Sequence, residues 1–502
     1  GAVVRLAPCG GDGEGKFLFP SSGHGSIRTE GASELCLAPA GEAADGSALE
    51  LRSCAASHGA LAQHFLLPRA PPSSDGRGAF LGVNLGGWLI MEDWMWPAEL
   101  EASQLHDEHS YIAEHGGPGD RRAQERMHQH WDSFLRPEHL DRLRRFGVTH
   151  VRIPFGYWLL DRVYNESDGF VSGGEAYLKR ALGWLKARGM LAVLDLHASP
   201  GGQARMQSFT GRITEEEHFF LDDAKFAQGK LAVEAMVELV LKYEADSATS
   251  GVVVGVELMN EPSHRHIVRT KEFYSEMVPL VRRSLPAEKY LVLLSFMGSP
   301  HTSSMDWLAE KISAKPEIWS GVVHDSHLYH LFGDNHEPWT KDQDYCKACC
   351  RDSHILRPQL STGVPTIVGE YAIATGFHGW HEEGFVAKNL HNYLSLWSTA
   401  GSVVGSFLWN FRIIADPAQP MKYLEWSLLD MVDHGYLNPD FAYVADTTSI
   451  CPSIDAGILE RCPDFSNTTV YWATRCEWQA AAAPAGGLRR LAEADMPAPI
   501  HV

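Results

Sequence analysis

Two shortages limit what this chain of 502 residues can be. It contains no run of about 18 or more apolar residues, the length that marks a transmembrane helix, so we predict no membrane-spanning segment. Basic charge is also scarce, because 43 Lys and Arg residues stand against 63 Asp and Glu residues and give a formal net charge of -20 at pH 7. Nucleic acids and anionic membranes are bound through basic surfaces, so the composition argues against both as partners.

The chain also lacks an initiator methionine and a signal-like segment at Gly1, and we expect a processed or trimmed form. Its hydrophobic content of 44% is sufficient for a large core. The length allows one large domain and something smaller beside it.

Nine cysteines predict an exported chain. Six of them stand in the carboxyl half, as the cluster Cys346, Cys349 and Cys350 and the group Cys451, Cys462 and Cys476. The N-glycosylation sequons Asn165–Ser167 and Asn467–Thr469 agree with export. The cluster has no second pair of ligands at zinc-like spacing, so we predict neither a metal site nor a cofactor, with a metal site or free thiols as the alternative. We therefore expect a secreted protein, extracellular or at the cell surface.

Residues 1–70 are rich in turns and glycine and lack helical periodicity. Cys36-Leu37, Leu49–Cys54 and Gln63–Phe65 resemble the ricin-type β-trefoil lectin repeat, of which about one and a half copies are present. The resemblance implies an all-β segment with a Cys36–Cys54 bond, and it places the partner of Cys9 upstream of Gly1. A β-rich cap that packs on the main domain is the alternative. Residues 71–79 are predicted to be a linker.

With that pairing, six cysteines remain for the carboxyl half. We expect them to form three bridges, at least one of which ties the loop after the sixth predicted strand to the tail. Cys349 and Cys350 are adjacent and should have separate partners.

Apolar strand-like runs alternate with amphipathic helical stretches over residues 80–440. The predicted strands are 80–85, 148–153, 190–196, 252–259, 290–296, 321–327, 365–370 and 403–409. The predicted helices between them include 174–188, 229–245, 270–284 and 382–398. This α/β alternation predicts a (β/α)8 TIM barrel, in which the chemistry lies at the carboxyl ends of the strands. Residues 441–502 form a predicted Cys-containing extension and tail.

Two glutamates end runs of this pattern. Glu261 follows the fourth run in Asn260–Pro262, and Glu370 closes the seventh, so both should face one mouth of the barrel. Two such carboxylates are what glycoside hydrolysis requires, one to protonate the leaving oxygen and one to attack the anomeric carbon or activate water. A lone glutamate is usually only solvated or paired. We expect burial and the charge of Glu370 to raise the pKa of Glu261, with the two carboxyl groups about 5 to 5.5 Å apart.

Three residues at other strand ends fit the same chemistry. Arg152 ends strand two, where an always-charged guanidinium would favour the ionised form of a nucleophilic carboxylate. His197 closes strand three and could bond a sugar hydroxyl or a carboxylate. Asn260 could bond the sugar 2-hydroxyl, an interaction that strengthens in the transition state.

Side chains after strands six and eight extend this set. His327 and Tyr329 would stand at the end of strand six, with Tyr329 donating to the nucleophile. Trp409 ends strand eight and offers a flat apolar face to a pyranose ring. A single histidine such as His197 or His327 more often has a structural role, and a single tryptophan such as Trp409 more often belongs to the core. Their joint placement at the ends of different strands favours a substrate-binding site.

These residues resemble glycoside hydrolase family 5, and most of all its fungal-type exo-β-1,3-glucanases. The segments that carry the resemblance are Leu85–Glu92, Arg152–Pro154, His197 to Gln203, Asn260–Pro262, His327 to Phe332, Gly369-Glu370 and Trp409. The resemblance implies a retaining double displacement on β-glucan polysaccharide or oligosaccharide, with Glu261 as acid/base and Glu370 as nucleophile. It further implies that Glu92 and Trp409 bind the terminal glucose, and it suggests association with a cell wall or extracellular matrix.

Two departures leave the bond specificity and the exo or endo mode open. Ala204–Gly211 stands where the branch has an Asn-, Gly-, Phe- and Asp-rich stretch that shapes the acceptor subsites, and Tyr371 follows the nucleophile where Trp or Phe is common.

A transglycosylase would use the same residues. An endo-β-glucanase or mannanase needs an open cleft, whereas the insertions 93–145 and 330–364 predict a walled pocket. A non-catalytic carbohydrate-binding wall protein is the remaining alternative, supported by the lectin-like segment.

Overall fold

The computed structural model describes most of the chain between Ala79 and Phe441 and several segments outside that range. The described residues are 17–18, 28–29, 32–39, 49–53, 79–100, 103–296, 301–330, 341–352, 362–375, 381, 383–399, 403–441, 451, 456–460 and 462.

Four short strands form an antiparallel sheet within the predicted all-β segment, in the order β1-β2-β3-β4. They are β1 (Phe17–Leu18), β2 (Arg28–Thr29), β3 (Ala32–Pro39) and β4 (Leu49–Ser53). The lectin-like identity of this segment and the domain boundaries stay predictions. Cys9 and Cys54 lie outside the described residues, and so the predicted Cys36–Cys54 bond is untested.

Eight parallel strands close into a barrel in which β5 to β12 follow one another in chain order and β12 pairs with β5. They are β5 (Phe80–Asn84), β6 (His150–Gly156), β7 (Leu191–Ala198), β8 (Val253–Glu257), β9 (Leu291–Ser295), β10 (Val322–His327), β11 (Thr366–Tyr371) and β12 (Val403–Leu408). Each coincides with a predicted strand, apart from shifts at the ends. The predicted TIM-barrel fold class is therefore confirmed.

Helices connect the barrel strands and extend the long loops. They are α1 (Glu108–Glu114), α2 (Arg121–Phe134), α3 (Pro137–Phe146), α4 (Glu175–Ala187), α5 (His218–Leu221), α6 (Asp223–Ala245), α7 (Ile267–Arg282), α8 (His301–Ala314), α9 (Pro316–Trp319), α10 (Lys341–Cys346), α11 (Phe385–Thr399), α12 (Leu428–Asp433) and α13 (Ala456–Leu459). The four predicted helices correspond to α4, α6, α7 and α11. Helix α6 begins earlier than predicted, because the Asp222 side chain accepts a hydrogen bond from the amide of Ala224 and caps it there. In the part of the chain that the structure describes, no helix is both long enough and apolar enough to cross a membrane.

The barrel interior changes from apolar to charged along the strands. A buried cluster of Val193, Leu291, Leu293, Val323, Ile367 and Phe407 fills one level. Side chains two residues apart on a strand point the same way. Asp195 and Asp325, each two residues beyond a member of that cluster, therefore also point inward, and both are buried. The charged level lies toward the carboxyl ends of the strands, where it supports the candidate site.

Two disulfide bonds tie the loop after β10 to the segment beyond residue 440. Cys346 pairs with Cys462, and Cys349 pairs with Cys451. The predicted link between this loop and the tail is therefore confirmed. The predicted third bridge is untested because Cys476 lies outside the described residues.

Candidate active site

Glu370 lies near the end of β11 and is held by two hydrogen-bond donors. Arg152 Nη1 donates to its Oε1 at 2.7 Å, and the Tyr329 hydroxyl donates to its Oε2 at 2.7 Å. The residue is only 5% exposed. The two donors fix both oxygens of the carboxylate in position. The predicted contact of Tyr329 with Glu370 is present.

Arg152 is fully buried beneath Glu370, where it contacts two further carboxylates. Its Nε donates to Glu257 at 2.7 Å, and its Nη2 lies 2.9 Å from Asp195 Oδ2. Burial opposes the charge on Arg152. The attraction of Asp195, Glu257 and Glu370 outweighs burial and raises the pKa of Arg152 well above its ordinary range. The guanidinium therefore stays charged and fixed in place.

Two amides complete the coordination of Arg152. Asn84 Oδ1 accepts from Nη1 at 2.9 Å, and Asn260 Oδ1 accepts from Nη2 at 2.8 Å. Because the oxygen of Asn260 is occupied by Arg152, its NH2 group is the part left for a sugar hydroxyl, and that contact stays a prediction.

Glu261 follows β8 in a left-handed backbone conformation, with φ of 38°. Its Oε1 lies 2.6 Å from His327 Nδ1. Burial raises the pKa of Glu261, but the hydrogen bond and charge of His327, together with His197 and Arg152, lower it overall. The predicted raised pKa of Glu261 is therefore wrong, because the prediction left out the imidazolium beside it.

In the hydrogen bond between His327 and Glu261, the proton lies on His327. Burial would lower its pKa, but the charges of Glu370 and Asp325 and the hydrogen bond with Glu261 raise it well above the ordinary value. Its Nδ1 also lies 3.5 Å from Glu370 Oε2. One oxygen of Glu261, one of Glu370 and one nitrogen of His327 all lie within 4.8 Å of one another. The two predicted catalytic carboxylates therefore face each other across one small space.

Glu92 and Trp409 are both near His197. Glu92 accepts a hydrogen bond from Trp94 Nε1 at 2.9 Å. Burial is the main cause that raises its pKa to about 7, although His197 acts in the opposite direction. Trp409 is buried and stacks on His197, with ring centroids 5.6 Å apart at 10°. A Cβ on Gly86 would lie 2.6 Å from the indole, so glycine leaves room for Trp409.

His197 points to a carboxylate beneath it, in agreement with one of its two predicted roles. Its Nδ1 lies 2.6 Å from Asp195 Oδ2. Since Asp195 also contacts Arg152, one carboxylate fixes both the ring of His197 and the guanidinium.

Sequence reasoning did not assign roles to the supporting residues Asn84, Asp195, Glu257 and Asp325, all of them buried on barrel strands. The sequence does contain a feature that indicates them: each is a charged or amide residue within an apolar strand run, and such a residue needs a buried partner. It also missed Trp94 and Trp426, whose rings are 5.0 Å apart beside Tyr329. Phe332 lies outside the described residues.

Among the residues that the structure describes, two groups of side chains have donor atoms close enough for a metal ion. They are Glu257, Asp325 and His327, and Glu261, His327 and Glu370. Both groups include His327 of the candidate site.

Comparison with known proteins agrees with this geometry. The family model for cellulase (glycosyl hydrolase family 5) matches residues 117–398, more than half of the chain. A probable glucan 1,3-beta-glucosidase of Arthroderma benhamiae is 29% identical over 295 residues, which cover 58% of this chain and 64% of that relative. A probable glucan endo-1,6-beta-glucosidase B of Aspergillus flavus is 28% identical over 314 residues, which cover 59% of this chain and 73% of the relative.

The fold has a counterpart among solved structures. The crystal structure of rutinosidase from Aspergillus niger is similar with a TM-score of 0.55 at 19% identity, covering 72% of this chain and 97% of that one. This chain spans less than two thirds of the length of the Arthroderma relative. The match to the family model, joined to the barrel and its paired glutamates, shows that the chain belongs to glycosyl hydrolase family 5.

Proposed function

We propose that the protein is a retaining β-glycosidase that hydrolyses β-glucan. The specific activity that we propose is that of an exo-acting β-1,3-glucanase. The observation that carries this proposal is the approach of Glu261 and Glu370, whose carboxylate oxygens lie within 4.8 Å. Retaining enzymes keep their carboxyl groups about 5 to 5.5 Å apart, whereas inverting enzymes leave about 6.5 to 9.5 Å for a water molecule. The name of the Arthroderma relative supports the β-1,3 linkage.

In the first step, Glu370 attacks the anomeric carbon. A bond forms between this carbon and a Glu370 oxygen while the bond to the leaving oxygen breaks, and Glu261 gives that oxygen a proton. Arg152 and Tyr329 orient Glu370 for the attack. The proton on His327, 2.6 Å from Glu261, moves to Glu261 as the leaving oxygen develops charge.

In the second step, water hydrolyses the glycosyl ester. Glu261, ionised after the first step, takes a proton from the water, whose oxygen attacks the anomeric carbon and releases Glu370. This proton then passes from Glu261 back to His327, which restores the starting state. The lowered pKa of Glu261 suits this half of the reaction, because a base must be ionised before it accepts a proton. Glu92 and Trp409 bind the terminal glucose through hydroxyl contacts and ring stacking.

The Aspergillus flavus relative favours one second candidate, an endo-acting β-1,6-glucanase on the same barrel. A transglycosylase would differ only in accepting a sugar in place of water. Product analysis over time separates these activities. An exo-β-1,3-glucanase releases glucose from laminarin from the first minutes, an endo-enzyme acts on pustulan and releases oligosaccharides first, and a transglycosylase forms longer products.

Replacing Glu370 with Gln is the direct test of the mechanism. Glu370→Gln should lower laminarin hydrolysis below a few per cent of wild type, because an amide is not a nucleophile here. The matched control is Glu276→Gln, which alters an exposed glutamate of α7 that pairs with Lys230 and should keep full activity. Substantial activity in Glu370→Gln would contradict the assignment.

We also propose that the protein acts outside the cell, at a cell wall or extracellular matrix. The bridges Cys346–Cys462 and Cys349–Cys451 support this, because such bonds persist in oxidising compartments. For the amino-terminal segment we propose a partial ricin-type lectin repeat on its sequence resemblance alone, with a β-rich cap as the alternative.

A further inference from the structure

A second cavity lies on the same side of the barrel, and none of the proposed catalytic residues lines it. Its volume is about 520 Å³, within the usual range of about 300 to 1,000 Å³ for small-molecule pockets. Its walls include Tyr157 after β6, Ser199 and Thr210 after β7, and Lys225 at the start of α6.

The loop Ala204–Thr214 separates this cavity from the candidate active site. On one side, the ring of Phe209 packs against His197 with centroids 5.6 Å apart. On the other side, Thr210 and Arg212 line the cavity. The stretch Ala204–Gly211, in which the chain departs from the exo-β-1,3-glucanase pattern, contributes Thr210 to the lining of the second cavity.

The polar groups of the cavity carry both signs of charge. Its charged and titratable lining residues are three carboxylates, two cations and a histidine: Asp168, Glu215, Asp222, Lys225, Arg212 and His218. Lys225 Nζ lies 3.5 Å from Asp168 Oδ1, whereas within the described part of the chain the Arg212 guanidinium has no hydrogen bond or ion pair. With three carboxylates against two cations, the lining has mixed donors and acceptors and only a small net charge, which suits a neutral, hydroxyl-rich ligand better than a strongly charged one.

Ring surface accompanies these polar groups. Tyr157 and Phe170 both line the cavity, with their centroids 6.2 Å apart in an edge-to-face arrangement. Both rings are buried, so they form an apolar inner wall of the cavity, while the carboxylates and the guanidinium group can bond sugar hydroxyls. The lining therefore has the composition of a sugar site.

We propose that this cavity is a second, non-catalytic binding site for a short, neutral glucan oligosaccharide. The choice of a glucan rests on the proposed function, whereas the preference for a neutral polyhydroxylated ligand rests on the cavity itself. The site holds a second segment of substrate or product beside the catalytic pocket, across the loop Ala204–Thr214.

Binding of laminaritriose to the full chain carrying Glu370→Gln tests the proposal, since this variant binds without turnover. Calorimetric titration should show two saturable binding events per chain. Adding Arg212→Gln should weaken one event about tenfold, the effect of losing one hydrogen bond to a charged group, and leave the other unchanged. Ser167→Trp should abolish the same event, because Ser167 lines the cavity and is exposed at its rim.

The matched control is Arg205→Gln, which alters an exposed arginine on the same loop that does not line the cavity, and both events should persist. A single binding event, two events insensitive to Arg212→Gln and Ser167→Trp, or displacement of the sugar by inorganic phosphate would overturn the proposal. If the wild-type chain failed to hydrolyse laminarin but kept the Arg212-sensitive event, the proposed function would fail and the second site would stand.

Discussion

Glu261 and Glu370 have the same side chain but different neighbours, and these neighbours separate their roles. Glu370 receives hydrogen bonds from a permanently charged guanidinium and a tyrosine hydroxyl. Glu261 instead faces His327, a group that can give up a proton. Two carboxylates whose surroundings differ in this way can act as nucleophile and acid/base on one substrate.

A comparison of substrates with poor and good leaving groups should reveal the role of Glu261. Glu261→Ala is expected to lower hydrolysis of laminarin by about 10² to 10⁴, because the leaving sugar oxygen then departs without a proton. Activated aryl β-glucosides need little acid assistance, so their first step should be largely spared. Steady-state and burst kinetics on both substrates measure the difference. Equal losses on the two would contradict the acid role.

His327 should set the alkaline limit of activity. Its pKa is raised above the ordinary 6.5, so the proton that Glu261 passes on is present at low and neutral pH and is lost as the pH rises through the raised value. His327→Gln removes this proton source. We expect the alkaline limb of kcat/KM to move to lower pH in the variant. An unchanged limb would show that His327 only positions Glu261.

At the scale of elements, a buried network joins the end of β10 to α10 and α11. His330 is 2% exposed and contacts Asp352 at 2.9 Å, Asp344 at 3.2 Å and the Tyr393 hydroxyl at 2.6 Å. Lys347 Nζ donates to the carbonyl of His330 at 2.8 Å. Burial lowers the pKa of His330, but the charges of Asp352 and Asp344 outweigh it and raise the pKa. The loop is therefore held by a charged imidazole.

This network predicts how stability depends on pH. Because the folded pKa of His330 is raised, its contribution is fully present below the unfolded value of 6.5 and is lost as the pH rises through the folded value. His330→Gln should cost roughly 3 to 5 kcal/mol at pH 6 and less at alkaline pH. Urea unfolding at several pH values measures this difference.

The control for this experiment is His434→Gln, which changes an exposed histidine. It should unfold like wild type at each pH. A cost of His330→Gln that stays constant from pH 6 to alkaline pH would contradict a charged His330.

At the scale of the whole molecule, two disulfide bonds close long loops. Cys346–Cys462 spans 116 residues and Cys349–Cys451 spans 102. In the chain-entropy model, each should stabilise the fold by roughly 4 to 5 kcal/mol. Replacing Cys349 and Cys451 together by Ser should lower the urea midpoint while activity at 25 °C persists, since neither cysteine touches the site. An unchanged midpoint would contradict this account.

The barrel could be predicted from the sequence because each strand is marked by a short apolar run of neighbouring residues. Runs such as 290–296 and 403–409 show their apolar character within a few residues, and the resulting strands are Leu291–Ser295 and Val403–Leu408. The start of α6 was harder to place, because the cap at Asp222 depends on one hydrogen bond and not on periodicity. The position of Glu261 and Glu370 at one mouth followed from barrel topology once the strands were known.

The sequence by itself determined the eight strands, the pairing of Glu261 with Glu370 and the residues at the strand ends. Only the tertiary structure decided which groups surround them. Arg152 reaches Glu257 and Glu370 across 105 and 218 positions of the chain, and no local pattern contains such contacts. The direction of the Glu261 pKa shift was likewise decided by the fold, because it depends on whether burial or the neighbouring His327 charge is stronger, and both arise only when distant strands meet.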